Sequence, residues 1–269
     1  MKALDVLSSL LRKQEHFFKL ALDQQYREIW RLSNLRRYTP AVTDLLGVPF
    51  KISDGATFLE QYKSIVKDRW YDFFTQDDEP LIIDLGANVG LSVWFFKNLY
   101  PCSRVIAFEP DKDLFQILSE NIHRLALENV ELLNQAAWSS DGEVTFFPEG
   151  SDAGRVAIPL TCSNYTVKSA SVRPWLSHRV AMLKIDIEGA ETVVLEDLAD
   201  LLKNVENLFL EYHSFAGQPQ TLSIILTVLK DAGFRVDLRP CGGSPRPFVE
   251  RKIISGIDCQ VNIFGYRPS

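Results

Sequence analysis

The sequence contains no apolar run long enough to cross a membrane, which takes about 20 consecutive apolar residues in a helix. Its first apolar stretch, VLSSLL, runs at once into Arg12 and Lys13, a poor match to a signal peptide. Only four cysteines occur, Cys102, Cys162, Cys241 and Cys259, and none forms a CxxC pair. That argues against a zinc site and a disulfide framework. It leads to the expectation of free thiols in a reducing, cytoplasmic compartment. Positive charge is in deficit: 29 Lys and Arg face 35 Asp and Glu, for a net charge of −6. A general nucleic-acid binder has the opposite balance. Repeats and low-complexity tracts are also missing.

What is present is a chain of 269 residues, 46% apolar, sufficient for a full core. Three segments suggest themselves: a helical N-terminal extension (1–40), a lead-in or cap (41–80), and an α/β domain (81–269). The extension carries eight Lys or Arg against four Asp or Glu, so the remainder is the more acidic part. Leu7, Leu10, Leu11, Phe17, Phe18, Ala21, Leu22, Ile29 and Trp30 can share one helical side. This suits a cap on the main domain; the sharper alternatives are a lid or a surface for homo-oligomer formation. A membrane-surface helix fits less well, because Asp5, Glu15, Asp23 and Glu28 interrupt the basic face. In the lead-in, a short strand is expected near 48–52 and a helix near 58–71.

The stretch LIIDLGANVG, Leu81 to Gly90, opens the α/β domain. Leu81-Ile82-Ile83-Asp84-Leu85 reads as a strand buried on both faces, and Val93, Trp94, Phe96 and Leu99 recur at helical spacing before Pro101. The glycines therefore sit at a strand-to-helix turn, where open α/β sheets bind ligands. Gly86 and Gly90 lack a Cβ, so a ligand can come close to the backbone. The bland alternative is a plain tight turn. The spacing is Asp-x-Gly-x-x-x-Gly, with Asn88 in place of the central glycine of a dinucleotide turn. Asp84 would repel a pyrophosphate and suits a cationic ligand, such as the ammonium and sulfonium of S-adenosylmethionine. The next strand, RVIAF, ends at Glu109, 19 residues after Gly90, where a carboxylate can accept both ribose hydroxyls. That feature is shared by NAD and S-adenosylmethionine sites. Glu109 also has a bland reading, as an acid flanking the helix that Pro110 opens.

Further strands are expected at 130–133, 143–147, 180–187 and 207–212, with helices at 190–202 and 219–232. Two late strands, near 234–238 and 260–266, would form a terminal hairpin. Residues 148–170 read as the longest irregular, substrate-facing loop.

Taken together, IIDLGANVGLSVWFFKNLYP, VIAFEPD, LLNQAAW, LKIDIEGAE and LEYH resemble the FkbM family of S-adenosylmethionine-dependent methyltransferases, over roughly residues 50–240. The resemblance implies the class I methyltransferase fold, a Rossmann-like sheet of seven mostly parallel strands with an antiparallel last strand. It implies O-methylation of a sugar, glycan or natural-product hydroxyl. By motif, Asp84, Gly86, Ala87, Asn88 and Gly90 would surround the methionine part, Glu109 the ribose, and Gln135 and Ala136 the adenine.

The acids of KIDIEGAE have their own logic. Lys184 and Asp186 alternate on one side of a strand, and Asp186 and Glu188 end it. Methyl transfer from a sulfonium needs the acceptor hydroxyl to lose a proton, so a general base or an acidifying metal helps. Glu211 and His213 end the next strand, and His213 is the natural base near neutral pH. Lys184 and Glu188 are the next candidates. Their bland readings are a carboxylate partner and a helix cap, and Glu191 reads as a first-turn acid. Asp186 and Glu211, with His213, also make a candidate magnesium site. The competing function is a non-catalytic binding module of the same fold, which would not require these residues together. A nicotinamide oxidoreductase is disfavoured by Asn88 and Asp84. Nothing in the sequence names the acceptor.

Overall fold

The computed structural model describes residues 23–147, 155–156, 164–241, 244, 246–251 and 253–267. The apolar positions Leu7 to Leu22 of the extension, and Cys162, lie outside these residues.

Helix α1 (Gln24–Ser33) starts at Asp23, whose carboxylate accepts from Tyr26 N at 3.1 Å. A ribbon of β1 (Ala41–Thr43) and β2 (Phe50–Ile52) follows. Helix α2 (Gly55–Gln61), capped by Asp54 on Thr57 N, continues into a π-helical turn, Tyr62–Lys67. These pieces are one packed layer. Leu32, Phe50, Ile52, Phe58 and Tyr62 are buried together against the main sheet. Asp54 also accepts from Tyr38 N at 2.6 Å. The end of α1 is thus built into the body through Leu32, which is 0% exposed.

Then come β3 (Leu81–Leu85), α3 (Leu91–Leu99), β4 (Arg104–Phe108), α4 (Lys112–Arg124) and β5 (Val130–Leu133). The chain next makes β6 (Ala136–Trp138), β7 (Gly142–Phe147), β8 (Arg155–Val156) and β9 (Tyr165–Ser171), a separate four-stranded sheet ordered β6-β9-β7-β8. It returns through α5 (Arg173–Leu176), β10 (Val180–Ile185), α6 (Glu191–Asp197), β11 (Val205–Phe215), α7 (Leu222–Asp231), β12 (Arg235–Pro240) and β13 (Ile257–Tyr266). The main sheet has seven strands in the order β12-β13-β11-β10-β3-β4-β5. Strand β13 inserts between β11 and β12 and runs antiparallel to both; the pairs β11–β10–β3–β4–β5 are parallel. This is the class I methyltransferase, Rossmann-like architecture.

Both faces are covered, which is why β3 and β10 read as near-continuous apolar runs. Ile83, Leu85, Leu183 and Ile185 join Val194, Leu195 and Ile225 on one side. Ile82, Met182 and Phe209 join Phe96, Ile117 and the lead-in on the other.

Two expectations need correction. Part of the anticipated 148–170 loop is strand β9, paired with β6 and β7. Its Thr166 and Lys168 face out while Val167 and Ser169 are buried, an alternation too poor in apolar residues to stand out. Strand β11 is eleven residues long, so Glu211 and His213 lie within it, opposite Asn262 and Gln260 of β13.

Candidate active site

The turn after β3 is held by backbone bonds: Gly86 N and Ala87 N both donate to Phe108 O, at 3.0 and 2.8 Å. Gly86 and Gly90 have φ of +85° and +92°. A Cβ on Gly86 would sit 1.9 Å from Asp186 O, and one on Gly90 2.7 Å from Leu118 Cδ1. The chain's own packing thus also favours glycine at both positions. The glycines let the turn close onto β10 and α4.

Asn88, at φ +50°, directs its N–H to Glu109 Oε2 at 2.8 Å, and Asp111 N donates to Oε1 at 2.8 Å. Two backbone donors thus fix a carboxylate that is 5% exposed. Burial dominates and pushes its pKa up to about 8, although both bonds favour the ionised form.

Sheet register explains the next group. Asp84 and Lys184 are direct neighbours on β3 and β10. Lys184 Nζ lies 3.2 Å from Asp84 Oδ1 and 3.6 Å from Asp186 Oδ2, and donates to Gly86 O at 2.8 Å. Asp84 Oδ2 accepts from Ser92 Oγ at 2.5 Å. Burial opposes the ammonium, but Asp84 and Asp186 hold its pKa above the usual lysine value. Asp84 is fully enclosed, so its charge faces Lys184 and not a ligand. Lys184 pairs with carboxylates, as its bland reading had it.

Above this pair lies a cavity of about 410 Å³. The Gly86–Ala87–Asn88 turn, Glu109 and Ala136 line it on the β4 side; Asp186, Glu188, Glu211, Gln260 and Asn262 line it on the β11–β13 side. Trp70 and Tyr71 from the lead-in also contribute. Tyr71 packs edge-on against Phe209, centroids 4.8 Å apart, and burial with nearby Asp186 keeps its phenol protonated. Gln135 lies elsewhere, in a shallow depression with Asp141 and Trp175.

Behind the acidic wall, His213 is 5% exposed and is not itself part of the cavity surface. Its Nδ1 is 3.0 Å from Glu191 Oε1, and its Nε2 is 3.6 Å from Glu188 and 3.9 Å from Glu211. Gln260 Nε2, which reaches Glu211, is 3.3 Å from His213 Nε2. Burial disfavours the charged ring, yet Glu188, Glu191 and Glu211 raise its pKa well above the usual value. Glu191, read from sequence as only a first-turn acid, is 1% exposed. Both its oxygens accept from Gly189 N at 3.0 Å. Glu188 adopts φ +53°, unfavourable for a side chain. Burial drives its pKa well up, and drives that of Glu211 to about 7.

Asp186, Glu211 and His213 bring ligand-type atoms within 4.8 Å of one another. The two carboxylates suit magnesium, but Lys184 already lies 3.6 Å from Asp186 and Gln260 donates to Glu211, so the chain's own groups hold these oxygens. The set as it stands does not fit a magnesium ion.

Residues 84–236 match the family described as Methyltransferase FkbM domain. The chain is 28% identical to Methyltransferase sdnD of Sordaria araneosa over 214 residues, covering 65% of this chain and 81% of that one. It is 28% identical to the hexuronic acid methyltransferase AglP of Haloferax volcanii over 142 residues, covering 51% and 58%. It is 24% identical to the 2-O-methyltransferase NoeI of Sinorhizobium fredii over 156 residues, covering 50% and 63%. Among solved structures, methyltransferase FkbM of Methylobacillus flagellatus aligns at 16% identity with a TM-score of 0.48, over 72% of this chain and 45% of that one. With the sheet order and the family match, the chain belongs to the FkbM methyltransferases.

Proposed function

We propose that the protein transfers a methyl group from S-adenosylmethionine to a hydroxyl of a sugar, glycan or small natural product. The observation that carries the donor assignment is Glu109: a buried carboxylate, oriented by Asn88 N and Asp111 N, at the cavity edge beside the Gly86 turn. Each oxygen keeps a lone pair for a ribose hydroxyl. Ala136 and Phe146 offer an apolar surface nearby for the adenine, and Gln135 drops out of that role. The relatives' names motivate the O-methyl acceptor: one is a 2-O-methyltransferase and one acts on a hexuronic acid.

The donor supplies an electrophilic methyl on a sulfonium. The chain's residues must hold the acceptor oxygen in line and remove its proton. Glu211 is the base we assign, since it faces the cavity with a pKa of about 7, close to the ideal for general-base work. His213, the base expected from sequence, instead acts from behind as a fixed cation that orients Glu188 and Glu211. The test is calorimetric binding of S-adenosylmethionine and S-adenosylhomocysteine, with Glu109→Ala as the discriminating variant. Affinity that ignores this substitution rejects the donor assignment.

A further inference from the structure

The cavity wall made by β10, β11 and β13 is rich in hydrogen-bond acceptors. Glu211 and Asn262 face each other across the β11–β13 pair, and Asp186 follows β10 on the adjoining strand. Asn262 is 1% exposed; its amide nitrogen is used on Cys241 Sγ at 2.8 Å, and its Oδ1 has no partner. Glu188 Oε2 is also buried, with His213 Nε2 3.6 Å away. Asn262 and Glu188 both line the cavity.

Cations do not balance this wall. Among the described lining residues, Lys63 and Lys184 are the only Lys or Arg. Lys184 is engaged by Asp84, Asp186 and Gly86 O. Lys63 pairs with Asp68 at 2.7 Å on the solvent side. The imidazole of His213 is surrounded by Glu188, Glu191 and Glu211.

We infer that the acceptor presents several hydrogen-bond donors on adjacent ring positions, hydroxyls or an ammonium beside a hydroxyl, and carries no acid group near the methylated oxygen. This rests on the function proposed above. The orphaned buried acceptor, Asn262 Oδ1, gains the donor it lacks when such a ring enters. A carboxylate there would meet Asp186 and Glu211, and the described lining residues hold no unpaired Lys or Arg to offset it, a repulsive element that excludes the wrong acceptor. The hexuronic acid named for one relative would therefore not suit this site.

The test loads the full chain with S-adenosylhomocysteine and titrates three probes by calorimetry and ligand-observed NMR: methyl glucoside, methyl 2-amino-2-deoxyglucoside and methyl glucuronide. The first two separate the hydroxyl from the ammonium source of donors. At least one of them should bind at least about tenfold more tightly than the glucuronide. Asn262→Leu should weaken that sugar while homocysteine-product affinity holds, which also reports that the variant is folded. Equal or tighter glucuronide binding, or no binding of either donor-rich sugar, overturns the inference. Failure of S-adenosylhomocysteine itself to bind overturns the function it rests on, and this inference with it.

Discussion

Lys184 and Asp84 occupy facing positions on neighbouring central strands, with Nζ 3.2 Å from Oδ1 and side-chain exposures of 3% and 0%. The pair ties the turn after β3 to the end of β10, since the same ammonium also binds Gly86 O. Removing one partner strands a buried charge. Lys184→Met or Asp84→Leu alone should cost about 3–5 kcal/mol of stability, and the double variant distinctly less than their sum. Denaturant midpoints in a double-mutant cycle measure this. Additive losses would mean that the two charges do not interact.

Glu109 makes stability depend on pH. Its folded pKa, about 8, lies above the ordinary 4.5. The folded state therefore binds this proton more tightly than the unfolded chain does. The resulting stabilisation is complete below about pH 4.5 and is lost as pH rises through about 8. Glu211, raised to about 7, adds to the same slope. The ligand-free melting temperature should fall from about pH 5 to about pH 8, and less steeply in Glu109→Gln. A profile identical in wild type and variant would remove Glu109 as a contributor.

His213 and Glu211 are separable by pH–rate profiles. If Glu211 is the base, Glu211→Gln should lower turnover by about 10²–10⁴-fold. The His213 cation lowers the Glu211 pKa, opposing burial and Asp186. His213→Gln should therefore keep the acid limb and move it to higher pH. Loss of that limb in His213→Gln, with Glu211→Gln near normal, would return the base to His213.

Leu32 tests how firmly the N-terminal part is joined to the body. Its side chain is fully buried with Phe50, Ile52 and Phe58. Leu32→Ala should cost about 2–5 kcal/mol, read from chemical denaturation. A cost below about 0.5 kcal/mol, the scale of an ordinary surface change, would make α1 a loosely attached extension.

The fold was most legible where burial is uniform. Leu81–Leu85 and Val180–Ile185 are covered on both faces and announce themselves as apolar runs. Strand β9 was not, because Thr166 and Lys168 look like loop residues until their partners β6 and β7 are known. In the site, Glu109 and the acids of KIDIEGAE could be picked out, since they follow strands directly. Gln260 and Asn262 could not: their place depends on β13 inserting between β11 and β12, and no local pattern encodes that register. The links from Glu191 to His213, 22 residues apart, and from Gly86 to the Asp186 carbonyl are likewise invisible until the strands are aligned.

The most direct measurement is isothermal titration of S-adenosylmethionine and, separately, NADH into the wild-type chain and Glu109→Ala. The account predicts binding of S-adenosylmethionine by the wild type, weakened by about 1–3 kcal/mol in Glu109→Ala through loss of its hydrogen bonds, and no competing NADH site. Unchanged S-adenosylmethionine affinity in the variant, or tight NADH binding by the wild type, would contradict it.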